Sequence, residues 1–295
     1  LPPRSSLPLR LPRRGEAIVV AIVERRMIVP NVHLLTVEAP EVAESARPGN
    51  FVILRPDERG ERIPLTIADW DTQAGTVTSI FVQVGASTAK LARLKAGDTV
   101  PSYAGPLGNE TEIGSFGTVL LVAGCYGLGS LLPIARAMKA AGNVVYVLVE
   151  ARSSYLLYWT ERFEAVADRV IVVTRDGSRG YKGHVTRLAE ILALEKIEPD
   201  RVIAHACTFQ MMTVAAQTRP LGIKTIVCMN PIMIDGTGMC GVCRLTVAGE
   251  TKFACVDGPE FDGHEVDWEE FLARREGYRA EEIEPLHRSG CESRF

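Results

Sequence analysis

Hydrophobic and polar positions change rhythm twice along this 295-residue chain. Up to about residue 100 the apolar positions come in short β-branched runs: 16–28 (EAIVVAIVERRMI), 32–39 (VHLLTVEA), 49–56 (GNFVILRP) and 76–85 (TVTSIFVQVG). Runs of this kind, punctuated by Pro and Gly, read as strands. Their close spacing without long helices predicts a small antiparallel β-barrel. One helix is expected over 87–98, where Ser87 and Thr88 are N-cap types and Gly97 closes the pattern. From residue 117 the rhythm alternates. Apolar strands at 117–124, 143–151, 168–174, 200–206 and 223–229 are separated by helix-period stretches at 128–142, 158–166, 184–195 and 208–219. Such alternation predicts a doubly wound parallel sheet. After Pro231 the regularity stops and a Gly-rich, cysteine-bearing segment begins, followed from 265 by a charged stretch that reads as one helix. The chain therefore divides into an extended Pro/Arg-rich arm (1–14), a barrel (15–110), an α/β domain (111–230), a cysteine segment (231–264) and a charged tail (265–295).

Composition narrows the partners. With 46% hydrophobic and 23% charged residues the chain is an ordinary globular one. A net charge of −3 gives no footprint for nucleic acid, and no apolar run reaches the length of a membrane span. The opening LPPRSSLPLRLPRR has no apolar core of signal-peptide length, and without an initiator Met the chain reads as trimmed. The odd count of seven cysteines and a tight C-x-x-C argue for thiolate ligands in a reducing cytoplasm rather than a disulfide framework.

Three stretches carry chemistry. VAGCYGLGSLLPIARAM places Gly124, Gly127 and Gly129, with Leu128 between the last two, at a strand-to-helix turn. A loop of this type lets backbone amides and a helix N-terminus approach a pyrophosphate. Glu150 closes the next strand, a position where an acid holds a ribose hydroxyl and disfavours a 2′-phosphate. Arg152 two residues on argues the other way, so the preference is NAD over NADP. In the barrel, GERIPLTIAD holds Arg62, Pro64, Leu65, Thr66 and Ala68, and VGASTAKL holds Gly85, Ser87 and Thr88. An arginine at a strand end can clamp a diphosphate, and a threonine on the same stretch can reach a ring heteroatom. Cys207, just past a strand end, is a candidate for lining the nicotinamide site, or a buried thiol. The third stretch, IDGTGMCGVCRLTV, holds Cys240 and Cys243, with Cys255 beyond it. Three thiols leave a fourth ligand open. A zinc site would recruit His264 or His205. The C-x4-C-x2-C spacing of a 2Fe–2S centre instead lands on Asp235.

The order R-x-P-L-T, G-x-S-T, then G-x-x-G-x-G-x-x-x-P resembles the ferredoxin–NADP reductase superfamily over residues 15–230. That resemblance implies FAD in the barrel and NAD(H) in the second domain. Residues 230–264, with GERIPLTIAD and ARPGNFV (46–52), more closely resemble the small subunits of NADH-dependent ferredoxin:NADP oxidoreductases, also called sulfide dehydrogenase β subunits. A more distant resemblance is to the electron-transfer subunits of dihydroorotate dehydrogenase, which carry a cysteine where this chain has Asp235. The nearer resemblance implies a 2Fe–2S cluster on Asp235, Cys240, Cys243 and Cys255. It also implies hydride exchange between nicotinamide and flavin near Thr66, with Arg62, Ser87 and Thr88 at the FAD phosphates. The expected partner is a larger flavoprotein with 4Fe–4S clusters, in an electron-bifurcating pair or a hydrogenase-type assembly. The competing readings are a dihydroorotate dehydrogenase subunit and a zinc-stabilised, non-enzymatic nucleotide-binding regulator.

Overall fold

The computed structural model describes residues 18–124 and 126–277; the expected arm and the end of the charged tail lie outside them. Strands β1 (Ile18–Val29), β2 (Val32–Glu38), β3 (Phe51–Arg55), β4 (Ile63–Asp71), β5 (Thr76–Val82) and β6 (Thr99–Leu107) close into an antiparallel barrel in the order β1-β2-β5-β4-β3-β6. Strand alternation sorts the side chains. Val52, Leu54, Leu65 and Ile67 fill the barrel interior with Leu35, Val37 and Phe81. Phe51 and Ile53 on β3, and Ala68 on β4, belong instead to clusters outside the barrel. Two short helices accompany the strands, α1 (Pro40–Ser45) and α2 (Ala86–Leu91). The helix expected over 87–98 stops at Leu91 because β1 claims the residues after it. Arg25 Nε donates to the Leu94 carbonyl at 2.6 Å, and Gly97 N and Asp98 O pair with Ile22.

The second layer is a seven-stranded sheet. Its parallel part comprises β7 (Thr118–Gly124), β8 (Val144–Ala151), β9 (Arg169–Thr174), the short β10 (Tyr181–Lys182), β11 (Arg201–His205) and β12 (Lys224–Cys228). These are linked by α3 (Gly127–Ala140), α4 (Thr160–Glu164), α5 (Leu188–Glu195) and α6 (Thr208–Thr218). The order is β10-β9-β8-β7-β11-β12, so the winding reverses between β7 and β11, the place where doubly wound sheets bind ligands. The cysteine segment is not a free-standing appendage beyond residue 230. It forms a hairpin of β13 (Arg244–Val247) and β14 (Glu250–Phe253), then adds β15 (Glu260–Asp262) antiparallel to β12 as the seventh strand of the sheet. The charged tail begins as expected with a helix, α7 (Trp268–Glu276), whose Asp267 cap accepts from Glu270 N. Among the described residues no helix is long and apolar enough to cross a membrane.

Barrel and sheet are fused rather than tethered. Val32, Leu34, Ala68 and Ile80 pack into one apolar cluster with α3 and β7. At the rim, Asp69 of β4 receives Arg136 of α3 at 2.8 Å and Arg162 of α4 at 3.3 Å. Gly129 sets how closely α3 approaches, because a Cβ there would lie 2.7 Å from Ile80 Cγ1 and 3.3 Å from Ala68 Cβ. Helix propensity alone favours Gly129→Ala by up to about 1 kcal/mol. Overpacking costs about 1–3 kcal/mol, so we expect a net loss in denaturant melts, reversed to neutral or stabilising in an Ile80→Ala background. A gain in the wild-type background would show that the contact does not limit the interface.

Candidate functional site

Around the barrel, β4 lies between β5, which faces the sheet domain, and β3, which faces the cysteine segment. Pairing sets Phe51 opposite Thr66 and Ile53 opposite Pro64. Pro64 and Thr66 thus share the outward side of β4, with Arg62 immediately before its first residue, while Leu65 turns into the barrel and Ala68 is wholly buried against α3. The structure therefore brings Arg62, Pro64 and Thr66 to one accessible strip and assigns Leu65 and Ala68 to packing. Arg62 Nε is buried there without a hydrogen-bond partner, a donor whose desolvation an anionic ligand would offset. On α2 the Thr88 hydroxyl is committed to the helix start. It accepts from Val84 N at 3.0 Å and Gly85 N at 2.9 Å and donates to Gly85 O at 3.1 Å. Ser87 is buried, whereas a Cβ on Gly85 would meet open space.

At the sheet's reversal the glycines of the turn have steric duties. A Cβ on Gly127 would overlap the His205 carbonyl oxygen, 1.9 Å away, and one on Gly124 would strike the Gln210 side chain. Leu128 is buried in the cluster that joins α3 to the sheet. Cys207 is the half-buried N-cap of α6. Beside it lies a chain of contacts that the sequence pattern did not single out. Asn230 Nδ2 donates to Tyr126 Oη at 2.6 Å, Thr208 donates to Asn230 at 3.1 Å, and Arg275 of α7 donates to Thr208.

Glu150 is held by residues of its own chain. Its side chain is 1% exposed and accepts from Arg175 Nε at 3.0 Å and Val185 N at 2.8 Å, with His184 Nε2 at 3.2 Å. These partners lie 25 to 35 residues further on, so a strand-end acid that looks free in the sequence is sealed by the fold. Arg152 stays exposed. The exposed acid at these strand ends is Asp176, held down to about 2 by the hydroxyls of Ser153 and Ser178 and the Ser178 amide.

The cysteine segment presents four donors in two pairs. The β13–β14 hairpin turns through Ala248 and Gly249, both at positive φ, and so brings its open ends together. Cys243 and Cys255 flank those ends with sulfurs 3.3 Å apart. In the preceding turn Asp235 accepts from Thr237 N at 3.1 Å and Cys240 N at 3.0 Å, and Cys240 Sγ lies 3.4 Å from its Oδ1. Burial works against the Asp235 carboxylate, but these bonds outweigh it and hold the pKa below the usual range. Burial pushes the Cys255 thiol up to about 12, reinforced by Cys243 and by the Asp235 charge. A dinuclear iron cluster takes two protein ligands per iron, which two pairs supply. Among the described residues no three metal-ligating side chains converge on a single ion. His205 is engaged with Ser130 and Glu260, and His264 with Thr218. Gly236, at φ +77°, seats the loop on the barrel: a Cβ would lie 2.7 Å from Leu107 Cδ1 and 2.9 Å from Ile53 Cδ1.

For Glu150→Ala we expect a stability loss of about 1–3 kcal/mol from the stranded Val185 amide and Arg175, with the ratio of kcat/KM for NADH and NADPH unchanged. An unchanged melt with altered nucleotide preference would instead make Glu150 a ribose ligand.

Comparison with known proteins agrees with this geometry. Residues 230–267 match the iron–sulfur cluster binding domain of dihydroorotate dehydrogenase B. The chain is 45% identical to the Thermotoga maritima homolog of the dihydroorotate dehydrogenase B (NAD(+)) electron transfer subunit, over 91% of this chain and 94% of that protein. It is 32% identical to the Geobacillus thermodenitrificans electron transfer subunit, over 84% and 97%. A chain of the NADH-dependent reduced ferredoxin-NADP oxidoreductase superposes with a TM-score of 0.86 at 43% identity, covering 93% of this chain and 99% of that one. A ferredoxin NADP+ reductase from Neisseria gonorrhoeae shares the fold alone, at a TM-score of 0.56 and 17% identity over 71% of this chain and 92% of that one. The chain therefore belongs to the family of dihydroorotate dehydrogenase B electron transfer subunits and their homologues, flavin- and nicotinamide-dependent oxidoreductase subunits that join a ferredoxin–NADP reductase fold to an iron–sulfur domain.

Proposed function

We propose that this chain passes electrons between NAD(H), FAD and a 2Fe–2S cluster, serving a larger partner subunit in an electron-bifurcating NADH/ferredoxin/NADP oxidoreductase. The observation that carries this reading is the seat of the cysteine loop. Gly236, next to Asp235, packs on Ile53 and Leu107, and Ile53 pairs with Pro64 on the strip that holds Arg62 and Thr66. Two strand spacings separate β4 from β6, about 10 Å. The flavin strip and the cluster loop are thus neighbours on one barrel face.

Bound FAD supplies the exchange between two-electron traffic with the nicotinamide and single-electron traffic with the cluster. The chain's own residues bind and orient. Arg62 would hold the flavin diphosphate and Thr66 the ring. The turn at Gly124–Gly129 and the start of α6 at Cys207 would hold the dinucleotide. Asp235 and Cys240 would bind one iron, Cys243 and Cys255 the other. The segments assigned to these tasks are 15–110, 111–230 and 231–264, the last locked to the sheet through β15.

The solved relative with 43% identity comes from a structure described in terms of flavin-based electron bifurcation, and this supports the same setting here. A surface suited to a partner surrounds the cluster loop. Cys240 is exposed beside Met239, which is 87% exposed, with Ile232, Ile234 and Val256 also uncovered. Clustered exposed apolar side chains of this kind mark protein interfaces. The identity of the subunit that copurifies separates a bifurcating or hydrogenase-type assembly from an orotate-forming one.

Asp235 provides the sharpest test. We expect Asp235→Cys to retain iron and sulfide with a shifted potential, and Asp235→Ala to lose cluster or change its spectrum strongly. Loss of one first ligand leaves one iron with a single protein donor. An Ala variant with wild-type spectrum, potential and iron content would place the fourth ligand elsewhere.

A further inference from the structure

The β3–β4 hairpin carries a second arginine that the binding motifs do not contain. Leu54 pairs with Ile63 as the last pair of the β3–β4 ladder, and Arg55 and Arg62 are the residues that flank that pair on the loop side. Leu54 points into the barrel core, which turns Arg55 to the outward side that Pro64 and Thr66 share. The Nε atoms of both arginines are buried without a hydrogen-bond partner. Like charges brought together across an antiparallel pair destabilise it, and a buried unsatisfied donor adds to that cost. Two such donors side by side call for an anion with acceptors for both.

The ion pair that Arg55 makes with Glu58 does not meet that need. Arg55 Nη2 reaches Glu58 Oε2 at 2.9 Å, but Glu58 is 79% exposed, and exposed ion pairs of this type contribute little. The loop between the two arginines is meanwhile pinned. Lys90 of α2 bridges to Asp57 at 2.9 Å, and Asp57 accepts from Arg59 N at 2.9 Å. The hairpin end is therefore held in place before any ligand arrives.

We propose that Arg55 is a second diphosphate-binding residue of the flavin site, paired with Arg62 so that each guanidinium serves one phosphate of FAD. This rests on the assignment of FAD to the outward strip of β4 and deepens it. Guanidinium forks suit phosphate oxygens, and a pair of them selects FAD over flavins without a diphosphate.

The test is flavin titration of the flavin-stripped full chain, followed by fluorescence, with FAD and separately with riboflavin. Arg55→Gln should weaken FAD about 10- to 100-fold, leave riboflavin binding unchanged, leave the melting midpoint of the flavin-stripped chain no lower than wild type, and be partly rescued by Arg55→Lys. Glu58→Gln should bind FAD as well as wild type or better. The proposal is overturned if Arg55→Gln binds FAD like wild type, if it loses FAD and riboflavin alike, or if Glu58→Gln reproduces the loss. Wild-type protein that takes up neither flavin would overturn the flavin assignment itself, a result distinct from a failure of Arg55 alone.

Discussion

The outward face of barrel strands β3 and β4 is the constraint around which the molecule is arranged. Alternation gives each strand one side for the barrel core and one for everything else. Here the second side must serve three modules at once. Ala68 accepts α3 of the nucleotide domain, Arg62 and Thr66 remain accessible, and Ile53 with Leu107 accepts the cysteine loop. Shifting β4 by one residue would bring Leu65 and Ile67 to the outward side and dismantle the α3 contact and the open strip together.

The cysteine segment is tied to that arrangement from behind. His205 ends β11, Glu260 starts β15 and Thr111 lies between barrel and sheet. Thr111 donates to Glu260 at 2.7 Å, His205 Nε2 lies 3.0 Å from the same oxygen, and its Nδ1 lies 2.8 Å from Ser130 of α3. One buried polar chain therefore touches the barrel linker, the nucleotide turn and the cluster domain. Networks of this kind are costly when half satisfied and rigid when complete. The adjacent arginines of α7 extend the tie, Arg274 toward the Val242 carbonyl beside Cys243 and Arg275 toward Thr208 beside Cys207.

Much of this is legible in the chain because it is written in local spacing. The β-branched runs, the strand–helix alternation and the register from Asp235 to Cys240 and Cys243 need no distant partner to be read. The features that escape depend on distance or on misleading residues. Strand β6, TVPSYAGPL, carries two prolines and a glycine that demote it as a strand, yet it closes the barrel. Strand β15 is three residues long and acquires its identity only by pairing with β12. The helix expected over 87–98 runs too far because Arg25, some seventy residues earlier, takes a carbonyl that the helix would have used. The partners of Glu150, namely Arg175, His184 and Val185, close over it from later in the chain. The glycines at 124–129 read as a phosphate cradle, and nothing local to them shows that His205, Gln210 and Ile80 also press against them.

The central claim is that flavin and cluster share one barrel face, so electrons pass between them within a single chain. The direct measurement is rapid mixing of the fully oxidised full chain with NADH, following flavin absorbance and the cluster signal together over a range of protein concentrations. One hydride puts two electrons on the flavin, and one of them should pass to the cluster, leaving one electron on each, at a rate independent of protein concentration. A cluster that stays oxidised while the flavin is reduced, or a cluster reduction rate that climbs with protein concentration, would contradict the account.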